Sequence, residues 1–185
     1  MKWISTLLFV SLPLAAQDGM DGSKQQEAPE PPKPQKEHEW LKQFEGTWDF
    51  TTKWTINGQE MTGKGSQTSA IRCKGFWLIM DANEDKADGF QGHGIVGYDT
   101  FKKKFVAVWV DNEAAYLQSM TGSLGKDDKT LTLEGEAPGM DGKMAHWKWL
   151  FEIADKDHHS LTFLVTGEDK KEAKVGKIDY SRAKK

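Results

Sequence analysis

Imidazole is the side chain best suited to metal and proton chemistry near neutral pH, and this chain carries five: His38, His93, His146, His158 and His159. None belongs to a His-x-His, His-x-x-x-His or cysteine-containing cluster, so the spacing of a zinc site is missing. His158 and His159 are adjacent and point to opposite faces of any strand, so they do not chelate from one side. His93 stands between Gly92 and Gly94, whose bare backbones let a ligand or a second strand come close. With His146 it forms the pair of candidates for a metal or haem contact, against the plainer reading of two strand histidines at a rim. The run Asp81-Ala82-Asn83-Glu84-Asp85 opens like a calcium loop. It then places Lys86 where the glycine turn belongs and Gly92 where a bidentate glutamate is needed, so it reads as a charged hairpin tip. Asp49, Asp81, Asp111 and Glu152 could pair across the mouth of a barrel, as some carboxylates of many strands would. The chain has no nucleophile elbow, no phosphate-cradling glycine loop, and no Gly-x-Gly-x-x-Gly opening a helix. These observations assign no catalytic residue and no cofactor.

The chemistry the chain holds in excess is aromatic: eight tryptophans in 185 residues. Trp54, Trp77, Trp109, Tyr116, Trp147 and Trp149 are the candidates for the wall of a site that takes a small, largely apolar ligand, with plain core packing as the alternative for each.

Elements must position these residues, and the length allows one domain of typical size. Residues 1–16, MKWISTLLFVSLPLAA, read as a signal peptide: Lys2, an apolar run from Ile4 to Leu14, and a small-residue exit at Ala15 and Ala16. The protein is therefore expected to be secreted or periplasmic. That run is shorter than the roughly 20 residues a spanning helix needs, so no integral membrane segment is expected after cleavage. Residues 17–36 carry Pro29, Pro31, Pro32 and Pro34 among charges and no aromatics, which predicts a disordered tether. Residues 37–185 form the predicted domain. The formal charge is −3 with acids and bases interspersed, which argues against nucleic acid as a partner. Lys102, Lys103 and Lys104 read as a solvated hairpin loop. Cys73 is the only cysteine; it forms no intramolecular disulfide and reads as a half-buried strand residue.

After a short helix that puts Trp40, Leu41 and Phe44 on one face, the hydrophobic period becomes two. Turn signals then recur about every ten to twelve residues, the rhythm of an antiparallel barrel or sandwich. Ten strands follow: 47–56, 61–73, 76–84, 90–98, 105–111, 115–122, 130–136, 146–153, 160–167 and 173–182. Asn57-Gly58 is the clearest tight turn. Short connections make neighbours pair in a meander, and a long meander leaves raw edges unless it closes. The prediction is an all-β, single antiparallel meander barrel of about ten strands with a short N-terminal helix. Alternation places Trp48, Phe50, Trp54 and Ile56 on one face, and likewise Trp147, Trp149, Phe151 and Ile153. A barrel of eight or more strands has room for a ligand.

Three blocks, EHEWLKQFEGTW at Glu37 to Trp48, GYDTFKKKFVAVWVD at Gly97 to Asp111, and DDKTLTLEGEAP at Asp127 to Pro138, resemble the family catalogued as domain of unknown function 1579. The likeness runs from about Glu37 to Arg182 and implies a lipocalin-like, calycin-type barrel with no established activity. It also implies that Gly46 and Trp48 act as the first-strand Gly-x-Trp of that fold, with Arg182 of the last strand packed across the Trp48 ring. Similar small barrels, the nitrobindin-like ones, hold haem iron through a single histidine, which is what makes His93 and His146 worth following. Three readings stay open. The barrel binds a small apolar molecule in its lumen. Alternatively, its outer aromatics dock it on a partner in the cell envelope, or it carries haem or a metal on a barrel histidine. The oligomeric state is not legible.

Overall fold

The computed structural model describes residues 30–56, 58–86 and 88–184. The expected signal peptide, tether residues 17–29 and Asn57 of the expected tight turn lie outside the described residues. Residues 30–35 are exposed and without regular structure, and the barrel unit spans Lys33–Lys185.

Helix α1 (Lys36–Leu41) passes through a 3-10 turn (Lys42–Phe44) into β1 (Gly46–Ile56). Then come β2 (Gln59–Arg72), β3 (Trp77–Glu84), β4 (Gln91–Asp99), β5 (Lys104–Asp111) and β6 (Gln118–Leu124). The last four are β7 (Thr130–Pro138), β8 (Met144–Asp155), β9 (His158–Thr166) and β10 (Glu172–Arg182). Each strand pairs antiparallel with its neighbours in sequence, and β1 also pairs with β10, so the sheet closes into a ten-stranded barrel. Closure gives every strand two partners and removes the exposed edge an open meander would carry.

Alternation decides what faces inward. Trp48 and Phe50 of β1, Leu78 and Met80 of β3, Phe105 and Ala107 of β5, Leu131 and Leu133 of β7, and Trp149 and Phe151 of β8 are buried together in one core. Two expectations are corrected. Cys73 is exposed and belongs to a 3-10 turn, Cys73–Gly75, rather than to β2; Cys73 and Lys74 take positive φ there, which ends the strand. β6 begins at Gln118 rather than at residue 115. The Asp111 carboxylate accepts the N–H groups of Glu113 and Ala114, and this local turn competes with the ladder.

The connections β2–β3, β4–β5, β6–β7 and β8–β9 lie at one end of the barrel, and α1 covers it. Six residues of helix do not hold themselves together in water; packing does it. Gln35 N–H bonds the His38 ring at 2.9 Å, and the Trp40 indole donates to the Asp128 carbonyl across the end at 2.8 Å. Phe44 sits edge-on to Phe151 and His159. Trp48 donates to the Phe44 carbonyl at 2.8 Å, and the Arg182 guanidinium lies 4.1 Å from the centre of its ring. The same guanidinium bonds the carbonyls of Glu45 and Lys156, fastening the plug, the first strand and the last strand together. Gly46 has φ +127°, and a Cβ there would stand 2.7 Å from Arg182 Nη1, so backbone and space both call for glycine. Among the described residues no helix is long and apolar enough to cross a membrane.

Candidate functional site

Among the described residues, no helix covers the other end. Between the β5–β6 connection (Glu113, Ala114, Tyr116) and the β7–β8 connection (Pro138, Gly139, Met140) a cavity of about 280 Å³ runs down into the lumen. Phe151, Leu161, Phe163 and Ile178 line it deeper, and Gln67 and Tyr180 form its floor. The floor is internally bonded: Tyr180 OH donates to Gln67 Oε1 at 3.2 Å, and Gln67 Nε2 donates to Ser69 Oγ at 3.0 Å. Burial pushes the Tyr180 phenol up, so it stays a neutral donor at physiological pH.

Glycines set the shape of the walls. Trp109 pairs in register with Gly94, and Trp54 with Gly176. A Cβ at Gly92 would come within 2.2 Å of the Trp109 ring, at Gly94 within 2.7 Å, and at Gly176 within 2.3 Å of the Trp54 ring. Both indoles therefore lie flat across a bare neighbouring strand, which keeps bulky rings in the wall without filling the lumen. The glycines flanking His93 do admit a close approach, and what approaches is Trp109. From there the aromatics run on: Phe90 stacks with Trp109 at 6.3 Å, Trp109 meets Trp149 edge-on at 6.3 Å, and Phe163 lies 5.3 Å from Trp149 and 4.7 Å from Trp54. Each such pair is worth about 0.5–1.5 kcal/mol beyond the area it buries.

Two acceptors at the mouth are already engaged. Asp111 Oδ2 accepts the Trp109 indole N–H at 2.9 Å, and the Pro138 carbonyl accepts that of Trp147 at 3.2 Å. Burial, and then the Asp111 charge, push the Tyr116 phenol up. Deeper in, Trp149 Nε1 and Gln118 Nε2 are buried donors without a hydrogen-bond partner.

Of the six aromatic candidates, Trp54, Trp109, Tyr116, Trp147 and Trp149 line this cavity, Tyr116 at its exposed rim. Trp77 does not. Leu78 and Met80 take the inward parity of β3, so Trp77 projects outward and covers Gly97 on the barrel surface. The two histidine candidates are also outside. Inward Gly92 and Gly94 leave His93 on the outer face, 2.7 Å from Asp81. Inward Trp147 does the same to His146, which lies 3.0 Å from Glu136. Neither imidazole reaches the lumen, and the described residues hold no group of three or more His, Cys, Asp or Glu placed to bind a metal ion. The outer face of β3–β5 carries Ile79, Ile95 and Val108 in register, with Ile95 40% exposed.

Internal polar residues at the site escaped the sequence reading: Gln67 and Ser69 of the floor, Gln118, and the burial of His159. His159 is buried below the cavity floor, 4.3 Å from the Trp48 ring and stacked at 4.3 Å on Tyr180. Burial, with Arg182 nearby, pulls its imidazole down to about 3. Gln118 shares its parity with buried Met120, and a polar residue on an apolar face was the available signal. Taken together, the site offers aromatic faces, two buried donors without a partner and carboxylates at the mouth, and these are means of recognition by stacking and hydrogen bonding.

A family model described as "Protein of unknown function (DUF1579)" matches residues 33–182. No curated protein matches the sequence. Among solved structures, a redesigned beta barrel is similar at 14% identity with a TM-score of 0.41, covering 83% of this chain and 100% of that one.

Proposed function

The chain belongs to the DUF1579 family of proteins of unknown function, and from that premise we propose that it is a binding protein for a small, largely apolar molecule held in the unplugged half of the barrel. The cavity carries the reading. Protein interiors are close-packed, and a barrel of this size is readily filled by side chains; here glycines opposite Trp54 and Trp109 keep the space open. An apolar cavity of about 150 Å³ takes up benzene, so one of about 280 Å³ has room for about two rings. The outward positions of His93 and His146 favour this over a haem or metal carrier. The apolar run of residues 4–14 favours an exported protein that meets its ligand outside the cytoplasm.

The test is calorimetric titration with naphthalene. One equivalent is expected to bind, and Leu161→Trp, which pushes an indole into the cavity, is expected to abolish binding while the protein stays folded. Absence of saturable binding to the unmodified protein would sink the proposal.

A further inference from the structure

We infer that the lumen's occupant is a neutral two-ring molecule bearing a carbonyl-type oxygen, held by Trp149 and Gln118; this deepens the ligand-binding reading and rests on it. Among the described residues, three buried side-chain polar atoms lack a partner: Gln118 Nε2, Trp149 Nε1 and His159 Nδ1. His159 packs under the floor against Trp48 and Tyr180. The other two residues line the same cavity. An indole N–H donates and never accepts, so the partner missing from Trp149 is an acceptor. The carboxamide of Gln118 supplies a second donor to the same oxygen or to a neighbouring one. Nearby indoles show that the fold can satisfy such groups internally: Trp109 bonds Asp111 and Trp147 bonds the Pro138 carbonyl. Trp149, at 5% exposure, lines the cavity with its donor left without a partner.

Charge narrows the acceptor. No Lys, Arg or His is among the described residues lining the cavity, while Asp111 and Glu113 stand at its mouth. A carboxylate ligand would be stripped of water with no counter-charge inside and would pass two like charges on the way in. A ketone, lactone or amide oxygen avoids both costs. The walls fix the rest: flat aromatic faces from Trp54, Trp109 and Trp149 suit a planar body.

A matched pair of probes tests the inference on the full chain. 1-Tetralone and tetralin share a skeleton and differ in the carbonyl, and 2-naphthoate adds an anion. Leaving a buried donor bare costs enough to change affinity by about ten-fold. Tetralone is therefore expected to bind at least about ten-fold tighter than tetralin although it is the less apolar, and naphthoate weaker than tetralone. Gln118→Leu removes one donor with little change of shape and Trp149→Phe removes the other together with one ring, a loss that tetralone and tetralin feel alike, so each is expected to pull the tetralone-to-tetralin ratio towards one. Trp77→Phe, on the outer face, is expected to leave the ratio alone. Equal binding of tetralone and tetralin would overturn the acceptor and leave the lumen site standing. If neither binds, the lumen site and the acceptor both fall.

Discussion

At the end covered by α1, Trp40 and Trp48 donate their indole N–H groups to backbone carbonyls and pack against Phe44, Phe105 and His159. At the unplugged end, Trp54, Trp109, Trp147 and Trp149 surround a space, and Trp149 has nothing to donate to. Both ends are rich in tryptophan, so the residue type does not distinguish them. What distinguishes them is the space that glycines opposite Trp54 and Trp109 leave at one end, and there the buried N–H of Trp149, which has no partner. The plugged end holds the barrel shut. The other end accepts unpaired donors and space, a loss of stability of the kind binding sites commonly carry.

Removing a ring from each end gives the largest contrast. Trp48→Ala is expected to lose about 3–5 kcal/mol in urea unfolding, as buried aromatic truncations do, because it removes a packed ring together with the Arg182 contact. Trp149→Ala gives up the Trp109 and Phe163 ring contacts but enlarges an existing space and removes an unpartnered donor, and is expected to lose less than Trp48→Ala. Equal losses would erase the distinction.

Acid gives the next largest effect. Above pH about 6.5 His159 is neutral folded and unfolded; below it the unfolded chain takes up a proton that the buried imidazole refuses until about pH 3. Stability present at neutral pH is thus lost as pH falls, at up to about 1.4 kcal/mol per unit between those limits. Urea unfolding from pH 7.5 to 4.5 should show that slope reduced in His159→Phe. An unchanged slope would place the acid sensitivity elsewhere.

Gln118→Leu works in the opposite sense. It removes an unpaired buried amide, so the empty protein is expected to gain about 1 kcal/mol, measured by the same unfolding. A loss of stability instead would mean that the amide is already satisfied. Trp77→Phe on the outer face is expected to change stability by less than about 0.5 kcal/mol, as surface changes usually do; a larger loss would show that the outer aromatic is part of the barrel's structure.

Much of the fold was legible because alternation survives wherever one face is polar. β8, with Lys148 between Trp147 and Trp149 and Glu152 between Phe151 and Ile153, shows its inner face in the sequence alone. β3 does not: Trp77 and Ile79 are as apolar as Leu78 and Met80, and the pairing with β2 and β4, not the pattern, sends Trp77 outward. Tyr116 was read as a strand residue, because the bonds that the Asp111 carboxylate accepts from Glu113 and Ala114, which turn the chain there, are invisible in composition. The glycines of β4 read as room for something, but a one-dimensional pattern does not say that the something is Trp109 from the next strand. His159 stood just ahead of the expected strand 160–167 and showed no sign of burial, since that burial comes from Phe44, Trp48 and Tyr180, which are distant in sequence.

The central claim is that the unplugged half of the lumen takes a ligand while the plugged end and outer face do not. Seven tryptophans fall among the described residues, and each indole N–H gives its own signal in a ¹⁵N-correlated NMR spectrum. On titration with 1-tetralone, the signals of Trp54, Trp109, Trp147 and Trp149 are expected to shift together and saturate, Trp149 most of all, while those of Trp40, Trp48 and Trp77 stay in place. Shifts confined to Trp40, Trp48 or Trp77, or no saturable shift in any of the seven, would contradict the account.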